Sequence, residues 1–117
     1  MTFNDHIYDE LNEFHWKTRV EKIKEYVSEN FAGHMDVTTV AREMELNKST
    51  LQYIFKRYQQ ETFRQYVERV RMNKALELLR EGKWVKEISI ATGYKNRVSF
   101  YKAFKRTFQY SPAHFRK

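Results

Sequence analysis

Two stretches offset by 49 positions carry nearly the same pattern. "FKRYQQET" (Phe55–Thr62) and "FKRTFQYS" (Phe104–Ser111) place Phe, Lys, Arg, Gln and a hydroxyl residue in the same slots. The same offset pairs Leu51 with Phe100 and Asn47 with Asn96. Upstream the offset falls to 48, pairing Val40 with Ile88 and Leu46 with Tyr94, so the second copy has one extra turn residue. Matched caps, core positions and stops mean that one supersecondary unit occurs twice. A chain of 117 residues is too short for two ordinary domains with independent cores, so the two copies must share structure.

The elements between these anchors read as helix. Only three Gly and one Pro interrupt a chain rich in Leu, Glu, Lys and Arg, and no segment alternates as a strand does. Ile7, Leu11 and Phe14 stripe a short opening helix. A second helix carries Val20, Ile23, Val27 and Phe31 and stops at Gly33. Asp36 caps a short helix through Met44 with Val37, Val40 and Ala41 inward, and Asn47 caps the next, with Leu51, Ile54, Phe55 and Tyr58 inward. Thr62 and Gln65 form a capping box that opens the longest helix, to about Glu81, with Phe63, Tyr66, Val67, Val70, Ala75, Leu78 and Leu79 as its inner face. Gly82 ends it. The pattern then restarts with Val85, Ile88 and Ala91 before Gly93, and with Asn96 capping a helix whose inner face is Phe100, Ala103, Phe104 and Phe108. Ser111-Pro112 begins a last helix. Trp16 and Trp84 are expected in the core. The fold class is all-α, with about seven helices: two helix-turn-helix subdomains joined by a long connecting helix, a homeodomain-like pair.

Charge points to the partner. The net charge is +7, yet residues 1–18 sum to −3, so residues 19–117 carry +10. Seven cations and no acid lie in Tyr94–Lys117, a segment whose aromatics recur at core spacing. In a helix-turn-helix the second helix enters the DNA major groove, so it must hide one face and offer polar side chains on the other. Both candidate helices do this. Ser49, Gln52, Tyr53 and Lys56 lie opposite Leu51, Ile54 and Phe55; Arg97, Val98, Tyr101, Lys102 and Lys105 lie opposite Phe100, Ala103 and Phe104. The aromatics seat the helix and the cations meet phosphates and base edges. Val98 fits either a thymine methyl or rim packing.

The stretches "VAREMELNKSTLQYIFKR", "YVERVRMNKALELL" and "GYKNRVSFYKAFKRTFQYSPAHFRK" resemble the DNA-binding domain of the AraC/XylS family over residues 19–117. The resemblance implies two helix-turn-helix units on a connecting helix, activation of transcription and contact with RNA polymerase. It places base-reading positions at Ser49, Gln52 and Tyr53, and at Arg97, Val98, Tyr101 and Lys102. Three positions depart from the family pattern. Gln60 and Gln109 replace the Gly that follows each recognition helix, which speaks against a left-handed cap there. Tyr53 stands where Arg or Lys is usual, and Ser89 where Ala is usual.

The organisation expected is an acidic helical extension (residues 1–18), a first subdomain (19–61), the connecting helix (62–81) and a second subdomain (82–117). Double-stranded DNA is the expected partner, bound by a monomer in the cytoplasm, with no cofactor. Met1 is the start expected of a complete single-domain regulator; the acidic helix at 5–16 fits a linker from a sensing domain in a longer one. The rival class is a basic helical protein-interaction module. Catalysis has no support: there is no Cys, phosphate-binding Gly loop or nucleophile elbow. His6 and Glu10 at i, i+4 are two ligands without a third.

Overall fold

The computed structural model describes the backbone of residues 3–116 and the side chains of residues 12–116. These residues form α1 (Phe3–Asn30), α2 (Val37–Glu43), α3 (Lys48–Gln59), α4 (Phe63–Arg80), α5 (Val85–Ala91), α6 (Arg97–Phe108) and α7 (Pro112–Phe115), with no strand among them. Two buried clusters form. The first joins α1, α2 and α3 to Phe63, Tyr66 and Val67 of α4; the second joins Met72, Ala75 and Leu79 of α4 to α5 and α6. The molecule is therefore long. Its radius of gyration is 17.4 Å, against about 13 Å for a compact chain of this length.

The predicted caps are formed. Asn47 and Asn96 each accept a backbone N–H at the next turn, from Thr50 at 2.8 Å and from Ser99 at 2.9 Å. The Thr62–Gln65 capping box is reciprocal, at 2.9 and 3.1 Å. Asp36 accepts from both the Thr39 amide and its hydroxyl, which holds its carboxyl below the ordinary carboxylate value. Ser111 precedes Pro112 as expected but makes no side-chain cap bond.

Four expectations are corrected. The opening helix and the second helix are one 28-residue helix, because no Gly or Pro breaks residues 3–30 and the change of charge near residue 18 costs the backbone nothing. Of the predicted opening stripe, Phe14 is 73% exposed, whereas the side chains of Ile7 and Leu11, like those of His6 and Glu10, lie outside the described residues. Trp84 is exposed, with the Arg116 guanidinium 3.8 Å from its ring centroid, and Ala91 is exposed too. Trp16 does pack, half-buried, on the first core.

The fourth correction concerns the turns. Gln60 (φ 60°) and Gln109 (φ 69°) are both left-handed, and their amides still bond the Lys56 and Lys105 carbonyls. An L-residue there costs about 1–2 kcal/mol, a strain the packed helix ends on either side hold in place. Inside the helix-turn-helix turns the equivalent slots are Glu45 (φ 57°) and Gly93 (φ 92°). Only the second requires Gly for space as well as conformation. A Cβ on Gly93 would lie 3.1 Å from the Ala32 Cα and carbonyl oxygen.

Gln60→Gly should therefore raise stability by about 0.5–1 kcal/mol, less than the full strain because Gly adds chain entropy to the unfolded state. Gly93→Ala should cost at least about 2 kcal/mol. Urea titrations check both, and equal small effects would contradict the assignment. Asp36 gives a pH signature. Its folded value is depressed, so the cap contributes fully above the ordinary Asp range and is lost as pH falls through the lower folded value. Asp36→Asn should keep the cap and flatten that acid limb in thermal melts.

Candidate nucleic-acid interface

Helices α3 and α6 are built alike. Each is capped by Asn, buries an apolar face and ends in a left-handed Gln. Leu51, Ile54 and Phe55 seat the first; Phe100, Ala103 and Phe104 seat the second, and Phe104 stacks further on Phe108 and Phe115. Rotation about each helix is thereby fixed, and the opposite face is bare.

That bare face carries the predicted residues. Ser49, Gln52, Tyr53 and Lys56 are exposed on α3, and Arg97, Val98, Tyr101, Lys102 and Lys105 on α6. Tyr53 is 66% and Val98 62% exposed, values too high for side chains with a role in the core. Neither helix contains Asp or Glu. Among the described residues, Lys56, Arg97, Lys102 and Lys105 enter no salt bridge, whereas cations of α1 and α4 pair with Glu13, Glu21, Glu61 and Glu77, and Arg106 of α6 pairs with Glu68. The positive field is therefore concentrated on the two bare faces.

The repeated Arg residues behave differently. Arg57 lies 5.4 Å from the Tyr58 ring centroid, and Arg106 pairs with Glu68 on α4. The Arg106 pair ties α6 to α4, whereas the Arg57 contact stays within α3. Between the units lies a cleft of about 600 Å³, lined by Met35, Gln52, Phe63, Arg64, Tyr94 and Arg106 among others. Burial raises the Tyr94 hydroxyl pKa, Glu68 adds to that and Arg71 opposes it, so the phenol stays neutral at this junction.

Sequence reasoning missed Arg64, which opens on this cleft, and Arg71. Arg71 had a signal: it falls at i+4 from Val67 and i−4 from Ala75, a charged residue on the buried stripe of α4. The same pattern conceals Met72, fully buried and absent from the predicted inner face.

A family model described as a helix-turn-helix domain matches residues 40–117, more than half the chain. The chain belongs to the AraC/XylS family of DNA-binding domains. It is 31% identical over 102 residues to the Msm operon regulatory protein of Streptococcus mutans, covering 86% of this chain and 37% of that protein. The chain thus spans about a third of the length of the curated relatives it matches. Among solved structures, the C-terminal domain of AraT, a response regulator from Geobacillus stearothermophilus, is similar with a TM-score of 0.82 at 26% identity, covering 84% of this chain and 83% of that one. The DNA-binding domain of AdpA, a global transcriptional factor solved in complex with a target DNA, has the same fold with a TM-score of 0.76 at 22% identity, over 82% of this chain and 87% of that one. The AraC/XylS architecture explains why two capped helices with bare basic faces sit at opposite ends of one connecting helix.

Proposed function

We propose that this chain is a sequence-specific double-stranded DNA-binding regulator of transcription, acting as an activator, that seats α3 and α6 in successive major grooves. One observation carries the reading: two like-built helices each bury an apolar face and expose an acid-free basic face. The similarity to an operon regulator supports it. Residues 19–61 and 82–117 act as the two reading subdomains, residues 62–81 as the spacer and residues 1–18 as an extension of the first helix. RNA polymerase is the second partner on this reading, and the cytoplasm the site of action; the work is binding, with no catalysis. No helix among the described residues is long and apolar enough to cross a membrane.

The spacer sets the scale. Eighteen residues of α4 span about 27 Å, which with the helix radii at either end approaches the 34–36 Å between successive major grooves on one face of DNA. A monomer should protect about 20 bp, with two contact clusters one helical turn apart. Footprinting with a measured stoichiometry checks this. A single cluster, or binding only by a dimer, would count against it, and binding without sequence preference would favour a basic protein-interaction module.

Readers and positioners should separate in a mutant pair. The Gln52 amide, near the start of α3, can pair bidentately with adenine, whereas Lys56 one turn on is placed for a phosphate. Gln52→Ala is expected to cost about 1–3 kcal/mol on the preferred site and relax one base position, leaving the salt slope unchanged. Lys56→Ala should weaken all sequences alike and lower the slope by about one unit. Binding of matched and mismatched sites by Gln52→Ala at wild-type strength would move the reading role to Tyr53.

A further inference from the structure

The two units meet around one guanidinium. Arg71 of α4 donates through Nε to the Phe31 carbonyl at 2.7 Å and through Nη2 to the Gly33 carbonyl at 2.9 Å. Both acceptors lie just beyond the C-terminal end of α1, where the helix dipole is negative and carbonyls lack helical partners. The other side of the same guanidinium lies 5.4 Å from the Tyr94 ring centroid, in the turn of the second unit. Beside it the Gly93 and Ala32 backbones approach so closely that a Cβ on Gly93 would meet Arg71 Nη2 at 3.0 Å and the Ala32 backbone at 3.1 Å. Elsewhere the principal helix contacts lie within one unit or run to α4.

We infer that Arg71 is a positioning residue that ties the end of α1 to the turn of the second unit and so sets the half-site spacing the protein accepts. Of residues 68–71 of α4 only Val70 packs on a core, the first, and none packs on the second, so α4 is least held there against a bend. The cleft alongside leaves room for such a bend. A tilt of about 13° on a lever of about 15 Å shifts the second unit by about 3.4 Å. That is close to the rise of one base pair, about 3.4 Å. Arg71 braces the helix where leverage is greatest.

The molecule contains its own control. Arg116 repeats the device at the end of α4, donating to the Gly82 carbonyl at 2.8 Å and the Lys83 carbonyl at 3.2 Å while covering Trp84. Those partners all lie in the second half of the chain. Losing Arg116 should loosen one unit; losing Arg71 should free one unit from the other.

The chain has no Cys, so spin labels at Glu43→Cys and Glu87→Cys, exposed on α2 and α5, would be the only ones. Their distance distribution should be single and narrow in the parent. Arg71→Met should broaden it at least about twofold, Arg71→Lys by less, and Arg116→Met not at all. On DNA, inserting one base pair between half-sites should cost the parent about tenfold in affinity and Arg71→Met less than about threefold. Unchanged widths in Arg71→Met, or equal broadening in Arg116→Met, would overturn the inference. If Arg71→Met does not fold, Arg71→Lys against Arg116→Met makes the same comparison. The DNA arm rests on the proposed function, but the label distances do not. A parent that shows no preferred DNA sequence would sink that function while the distances still decide the role of Arg71.

Discussion

Helix α4 is buried twice, by its first half in one core and by its second half in another, and the rest of the structure depends on that. Each helix-turn-helix unit alone falls near the size of about 40 residues below which a single core seldom holds a chain folded. Sharing α4 gives each unit a further wall. Phe63, Tyr66 and Val67 close the first core, and Met72, Ala75 and Leu79 close the second. The capping box at Thr62 and the left-handed Gly82 (φ 86°) define the ends of this wall and so the separation of the units.

The division of labour on α3 and α6 follows from having been given only one face to pack. Aromatic side chains bury large areas per residue and interlock, as Phe100, Phe104, Phe108 and Phe115 do, so few positions are needed to fix a helix. The remaining positions are free to carry charge. Exposed ion pairs elsewhere, such as Arg69–Glu61 at 3.2 Å, contribute about 0–1 kcal/mol to stability. Their larger effect is to neutralise the surface away from α3 and α6, which leaves the positive field where a polyanion would be met.

The two copies share a scaffold and differ in what they display. Gln52 and Tyr53 correspond to Tyr101 and Lys102, and Ser49 to Val98. On the proposed function, one monomer presents two unlike reading faces, which suits a target of two unlike halves better than a palindrome. The turns differ for a packing reason. The first accepts Glu45 because its left-handed slot is exposed, whereas the second needs Gly93 because the end of α1 and Arg71 press against it.

Much of this was legible in the sequence because it depends on residues close in the chain. Caps act over three positions, helical faces repeat every three or four, and an internal repeat reports two copies of one unit. Hence Asn47, Asn96 and Thr62, the buried Phe55 and Phe104, and the outward Gln52, Tyr53, Arg97 and Lys102 all fell where local rules placed them. What local rules misjudged were balances settled by distant partners. The left-handed Gln60 and Gln109 cost little enough for surrounding packing to hold. Trp84 lies at the surface, where Arg116, 32 positions on, sits over its ring. Arg71 stands on the buried stripe of α4, but its acceptors lie 40 and 38 residues earlier, beyond the reach of any local rule. The sequence alone determined the two units, their exposed basic faces and the helix that joins them, since those are written in short-range periodicity. Only the tertiary structure decided how the units meet, because the Arg71 guanidinium and the Gly93–Ala32 approach join parts of the chain that no spacing rule connects.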